Sequence, residues 1–438
     1  MAKSRTPNFD SINLVAPLML IVYLCIGFIP NWQAVDKIAP QWLVMSGLNL
    51  LSLLYIASNR KLLAQEISLN LKAYLTLTYI GFLIWAICSF IYAINPTEVV
   101  VNISRQLNVF IMFISMAIFL FSFKGKLRFI PWAITLVLAV EIYAVLDQAL
   151  DMINSNGVIN SGTLKGLTAN RNITAFSLAI KIPFILFLIQ LEKKMLTKIV
   201  LSITICLTLI CLSMIQSRAS FIAIGFTALA YVFMHTIIYL KGNRKWTQFL
   251  QIGFFLIPLL IAILVNRTTL SNKGADAISR AATISVSTND GSVNQRLRYY
   301  EDVLTHLASN PIFGVGLGNW KLKSIDYDSR DIVGYIVPYH AHSDFIQLGA
   351  ELGIFGFLLY LGIFLWGIYY VFVLLRYSNL EINEKVFLFL LITALGVYSV
   401  DANLNFPIAR PQVLVVWALI MGFITVYYQK HRNQTVKN

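Results

Sequence analysis

Charge is scarce in this sequence. Of 438 residues only 12% are Asp, Glu, Lys or Arg, about half the ~25% of an average soluble protein. A soluble fold of this length could not cover its surface with so few, and that class is excluded. Cysteine is scarce too. Cys25, Cys88, Cys206 and Cys211 all fall within apolar runs, and no CxxC or Cys/His spacing occurs, which excludes a disulfide-stapled scaffold and a thiolate metal centre. With 23 Gly and 12 Pro, collagen-like and disordered chains are excluded as well. What the sequence has in excess is apolar: 58% hydrophobic residues and a mean hydropathy of +0.72. It reads as an all-α polytopic membrane protein.

Stretches able to cross ~30 Å of hydrocarbon occur near 11–30, 41–57, 74–94, 107–123, 129–149, 173–191, 197–215, 219–240, 247–266, 345–375, 386–402 and 412–428, about twelve transmembrane helices in all. The first is too long for a cleavable signal peptide and lacks a small-x-small exit, so it is expected to remain as an anchor. The connections alternate in basic content. Lys3 and Arg5, then Arg60, Lys61 and Lys72, then Lys124, Lys126 and Arg128, then Lys193, Lys194 and Lys198, then Lys241, Arg244 and Lys245, then Arg376 and Lys385, and finally Lys430, Arg432 and Lys437 make nineteen cations in seven segments. The five short connections of the other set hold only Lys37, Arg105, Lys165, Arg171, Arg218 and Arg410. The positive-inside rule therefore places both termini in the cytoplasm, and an even span count requires them to share a side. The net charge of +14 is mostly topogenic, and nucleic-acid binding is not expected.

One connection is far longer than the rest. A single membrane domain is predicted, with nine spans over 1–266, an external insertion over 267–343 and three spans over 344–438. The insertion holds a polar stretch, Ser285–Gln295, and then an amphipathic segment from Arg296 to Leu307 with apolar residues at helical spacing. Asn310-Pro311 ends that helix, and Gly314-Val-Gly316-Leu-Gly318-Asn319-Trp320 follows as a tight glycine turn. External chemistry is expected in this insertion.

Candidate site residues cluster around it. His342 stands where the insertion re-enters the membrane; its side chain suits general-base work, or it simply tolerates the headgroup region. His340, two residues earlier, is the weaker candidate. Arg218 lies in a connection too short to hold it far from the membrane, so it either snorkels or faces a cavity, where a guanidinium would pair bidentately with phosphate. Arg296 and Arg298 are two apart on the amphipathic helix, so only one is expected to face a site. Arg171 lies in a loop rich in Asn, Ser and Gly. Lys181 is at membrane depth, as is Glu141, and a pairing of the two is favoured over direct participation.

These residues fall into a recognisable pattern. His342-Ser343, nine residues, Gly353, two residues and Gly356 resemble the signature of bacterial O-antigen ligases. So do Ser217-Arg218, Arg296 followed four residues later by Tyr300, and Pro311-Ile-Phe-Gly-Val-Gly-Leu-Gly318. The resemblance runs from about Gly166 to Pro411; its Arg and glycine elements are shared with O-antigen polymerases and O-oligosaccharyltransferases. It implies a GT-C-type, metal-independent inverting glycosyltransferase that needs no cofactor and works at the periplasmic face of the bacterial inner membrane. The donor would be a glycan on undecaprenyl diphosphate. The acceptor would be lipid A–core, another lipid-linked repeat, or a protein. Carried over by position, His342 would be the catalytic histidine and Arg218 and Arg296 would bind the diphosphate. A lipid-linked-glycan transporter is the rival of another class, but the paired broken helices of inverted repeats are not seen in the sequence.

Overall fold

The computed structural model describes residues 9–168, 170–241, 247–282, 291–328, 339–377 and 379–437. Lys3, Arg5, Arg244, Lys245 and the first part of the polar stretch, 285–290, lie outside them. Among the described residues every regular element is helical: α1 (Phe9–Leu24), α2 (Ala39–Ser58), α3 (Ala64–Leu71), α4 (Tyr74–Cys88), α5 (Pro96–Ser122), α6 (Lys126–Asn156), α7 (Arg171–Ala179), α8 (Ile182–Leu191), α9 (Met195–Ile215), α10 (Arg218–Lys241), α11 (Thr247–Val265), α12 (Ala277–Ala282), α13 (Gly291–Ser309), α14 (Trp320–Asp328), α15 (Asp344–Tyr377), α16 (Ile382–Ala402) and α17 (Pro411–Lys437). In hydrocarbon only intrasegment hydrogen bonds satisfy the backbone, so apolar runs of this length become helices.

Eleven of the helical segments are long and apolar enough to cross a membrane. The first predicted span is also helical, α1 running from Phe9 into a tightened turn from Cys25 to Phe28, with Pro17 inside it; among the described residues its apolar part is Leu14–Phe28. The other eleven windows coincide with helices. The stretch Arg171–Leu191 is 94% buried and Pro411–Gln434 is 89% buried, against 28% for the spans of α10 and α11. Helices α7, α8 and α17 are thus the centre of the bundle, and α10 and α11 form its rim.

Helix ends are set locally. Asn95 caps α5, accepting from Thr97 N ahead of Pro96, and Asn170 caps α7, accepting from Asn172 N and Ile173 N. Between α7 and α8 the chain breaks at Lys181, two residues before Pro183, which has no N–H to continue the ladder. The Lys181 ammonium reaches Glu141 Oε2 at 2.7 Å and Oε1 at 2.9 Å, with Ser177 completing the cluster at 2.7 Å. The pairing expected from sequence is present, and it lies wholly inside the bundle.

The most unusual backbone is inside α15. At Gly353 the helix breaks, with φ +68° and ψ −171°, a region that only glycine occupies readily. The groups freed by the break bind the glycine turn of the insertion. Val315 N donates to Ala350 O at 3.0 Å, Gly316 N to Glu351 O at 2.8 Å and Ile354 N to Pro311 O at 2.8 Å. The Glu351 carboxylate accepts Gly318 N at 2.7 Å, and Ser89 and Asn95 hold the far side of the turn. The glycine turn is therefore a docking element. A Cβ at Gly353 would stand 2.0 Å from Ile312 O. Gly353→Ala is expected to cost about 3 kcal/mol or more, read as a large drop in thermal stability in detergent. Gly225→Ala, with nothing within 4 Å of the added methyl, should leave stability unchanged or slightly raised.

Candidate functional site

At the end of the bundle where the insertion docks, a cavity of about 500 Å³ opens between α7, α10, α12, α13 and the turns on either side of α15 and α16. Arg171, Arg218, Arg280, Arg296 and His342 all line it, with Gln295, Tyr299, Tyr300 and Asn405. Four guanidiniums line it, with no carboxylate among the described lining residues. Each comes from a helix start or an insertion helix. Arg171 and Arg218 are the first residues of α7 and α10, placed there by the Asn170 cap and by the left-handed turn at Gln216 (φ +56°).

The amphipathic helix α13 begins at Gly291, five residues before the expected start. Arg296 thus sits in its second turn, away from the unfavourable dipole end, while the predicted stop at Ser309 holds. Arg296 faces the cavity and Arg298 is not among the lining residues. On the same helix the Tyr300 hydroxyl lies 3.1 Å from His342 O and 2.5 Å from Asn403 O. One helix therefore carries a cavity arginine and the clasp on the histidine's backbone.

His342 itself has φ +56°, the left-handed region that a non-glycine residue occupies only under constraint. The constraint comes from its neighbours. Besides Tyr300, Ala341 N donates to Gln347 Oε1 at 3.0 Å, Ser343 Oγ to Asn403 Oδ1 at 3.4 Å and Ile408 N to Asp344 Oδ2 at 2.9 Å. The ring lies parallel to Tyr299 at 6.2 Å and meets Phe406 at 5.6 Å. Burial first, and the Arg296 charge second, push the imidazole down to about 4. It is neutral at pH 7 and able to accept a proton. His340 stacks on Phe406 at 4.2 Å and is pushed down to about 3, chiefly by burial. It lines a separate crevice of about 50 Å³ with Arg105, Asp344 and Glu351.

The structure thus brings Arg171, Arg218, Arg296 and His342 together and leaves Arg298, His340 and Lys181 outside the cavity. Sequence reasoning missed Arg280, Tyr299 and Asn405. Arg280 sits in the short helix α12, where neither hydropathy nor a motif singles it out. Asp326-Tyr327-Asp328 has the Asp-x-Asp spacing, but Asp326 accepts from Lys323 Nζ at 2.9 Å, and the Asp328 side chain is outside the described set. Among the described residues no group of three or more His, Cys, Asp or Glu could hold a metal ion.

A second line of information agrees with this geometry. Residues 203–361 match the family model described as O-Antigen ligase. The O-antigen ligase match takes in Arg218, Arg280, Arg296, His342, the glycine turn and Gly353, and supports a membrane glycosyltransferase of the ligase or polymerase type. No curated protein matches the chain. Outside the matched O-antigen ligase stretch, Arg171 and Asn405 join the cavity by geometry alone.

Four guanidiniums around an open space suit a diphosphate, and each charge-assisted contact contributes strongly. In a thermal-shift or calorimetric titration with inorganic pyrophosphate, Arg280→Ala and Arg296→Ala are each expected to weaken binding about tenfold. Arg298→Ala should leave it within about twofold.

Proposed function

We propose that this protein transfers a glycan from undecaprenyl diphosphate to the lipid A–core at the periplasmic face of the bacterial inner membrane, with both termini cytoplasmic. The observation that carries the reading is the neutral histidine held in a strained turn at the wall of a cavity lined by four arginines, with no acid among its described lining residues. The family match and the basic bias of the alternate connections support it.

The chemistry follows from the charges. As the bond between the anomeric carbon and the diphosphate oxygen breaks, its electron pair leaves on the diphosphate. Arg171, Arg218, Arg280 and Arg296 meet that developing charge where it forms, and so favour the transition state over the ground state. The acceptor hydroxyl forms the new C–O bond on the opposite face and gives its proton to His342. A protonated His342 beside Arg296 is disfavoured, which makes it a weak base in isolation; the negative diphosphate offsets that repulsion once bound. Tyr300 positions His342 and carries no proton in this scheme. A polymerase or a protein O-oligosaccharyltransferase would use the same donor half, and the acceptor decides between them.

Transfer from a radiolabelled undecaprenyl-diphosphate glycan to purified lipid A–core tests the reading. Wild type should move label to lipid A–core, and His342→Ala should lower turnover by two or more decades with pyrophosphate binding intact. Label accumulating on undecaprenyl carriers of growing length would instead establish a polymerase. Wild-type turnover in His342→Ala would remove the histidine from the mechanism.

The acid side of the pH profile gives a separate check. An ordinary imidazole (6.5) would lose its basic form below neutrality, whereas His342 keeps it down to about 4. The kcat/KM for the donor, which reports the free protein, is therefore expected to be flat from pH 8 to about 5 and to fall roughly tenfold per unit below about 4. A midpoint near 6.5 would show that the histidine is not held neutral by its surroundings.

A further inference from the structure

The five short connections poor in cations still hold six of them, and all six line cavities. Arg171 and Arg218 line the arginine cavity, and Arg105 lines the crevice beside His340. The remaining three, Lys37, Lys165 and Arg410, line a second cavity of about 340 Å³. These short connections have kept cations only where there is a space to fill, which a topological bias alone does not explain.

This second cavity lies between the α1–α2 connection, the loop that leads into α7 and the start of α17. Gln41 and Gln412 add amide groups, and no Asp or Glu is among the described lining residues; Asp36, which neighbours Lys37 and whose charge reaches Arg410, pairs with Arg105 at 2.9 Å. Gln148 Oε1 accepts both Lys165 N and Gly166 N at 2.9 Å, so the backbone that carries Lys165 is fixed. Arg410 packs over the Phe406 ring at 5.1 Å, and its Nε is buried without a hydrogen-bond partner.

Its position relative to the base is the second observation. Phe406 touches both Arg410, at 5.1 Å, and His342, at 5.6 Å. The loop that contributes Thr168 and Asn170 to the second cavity continues directly into Arg171 and Asn172 of the first. The two cavities are thus neighbours, bridged by that loop and by Phe406, which touches Arg410 of one and His342 of the other. In an inverting displacement the incoming hydroxyl approaches the anomeric carbon from the face opposite the leaving diphosphate. None of the four arginines lines the second cavity, so a group held there would stand apart from them and one ring, Phe406, from His342.

We propose that this cavity binds the anionic headgroup of the acceptor, a phosphate-bearing saccharide of a glycolipid, with Arg410, Lys37 and Lys165 taking the phosphate and the amides taking sugar hydroxyls. The assignment rests on the glycosyl-transfer reading for the identity of the acceptor. The binding itself can be measured without any transfer.

The test uses the full-length protein in nanodiscs and lipid A–core, either native or stripped of its phosphates by phosphatase. Wild type should bind the native form about tenfold or more tightly than the stripped form, since charge-assisted contacts are lost with the phosphates. Lys37→Ala/Lys165→Ala and, separately, Arg410→Gln should erase that preference while leaving pyrophosphate binding unchanged. Arg218→Ala should keep the preference and weaken pyrophosphate. Thermal unfolding of each variant checks that it is folded, and the two exposed lysines offer a variant that leaves the bundle untouched. The proposal is overturned if wild type shows no preference, or if the preference follows Arg218 rather than Lys37, Lys165 and Arg410. It is overturned equally if nanodiscs rich in phosphatidylglycerol abolish binding, since the cavity would then be a phospholipid site. Preference without transfer would sink the reaction and leave the cavity assigned; transfer without preference would do the reverse.

Discussion

The hydrogen bonds that α15 gives up at Gly353 and remakes with the glycine turn determine where the insertion sits. A helix of that length in lipid has no reason to break, because each broken rung leaves polar groups without partners. Here Ala350 O, Glu351 O and Ile354 N find their partners in residues 311–316, and Trp85 Nε1 takes Leu352 O at 2.8 Å. The insertion is thereby joined to the bundle by backbone contacts that tolerate little displacement. Helix α13, which ends just before that turn, is held over the cavity as a result, and with it Arg296 and Tyr300.

The charge arrangement follows a simple division. Carboxylates near the site hold backbone and neighbouring side chains: Asp344 takes Ile408 N, Glu351 takes Gly318 N and Gln347 Nε2, and Asp401 takes Asn405 Nδ2. Four guanidiniums line the cavity, and no acid is among its described lining residues. Its wall is therefore cationic, and the low surrounding dielectric strengthens that field. The same burial keeps His342 neutral. One physical condition thus makes the cavity attractive to an anion and the histidine capable of accepting a proton.

Much of this was legible in the sequence, and the gaps have physical causes. Hydropathy located the spans because lipid leaves the chain so few options, and each predicted window falls on helix. The spacing of Arg296 and Arg298 showed that one of them would face away, but not which one, since that depends on how α13 is rotated by its docking. Its start at Gly291 was hidden by Gly, Ser and Asn, residues of poor helix propensity. Gly353 was visible as part of a signature without its meaning, because a glycine that permits a broken helix looks the same as one that lets a ligand approach. Arg280 left no mark at all: its role is conferred by neighbours brought in from distant parts of the chain.

The ion pair between Lys181 and Glu141 has a consequence for how the protein is made. A lone lysine at the centre of a segment opposes its entry into the bilayer by about 2.5–3.5 kcal/mol, and the break beside Pro183 removes further backbone bonds from that segment. The stretch Arg171–Leu191 is also 94% enclosed by other helices, so little of it is built to meet lipid. It is therefore a poor independent insertion unit. It becomes comfortable in the membrane only alongside α6, which is synthesised earlier and already carries Glu141. The order of helices along the chain thus gives the nascent lysine a waiting counter-ion, and biogenesis, as much as the finished bundle, depends on that carboxylate.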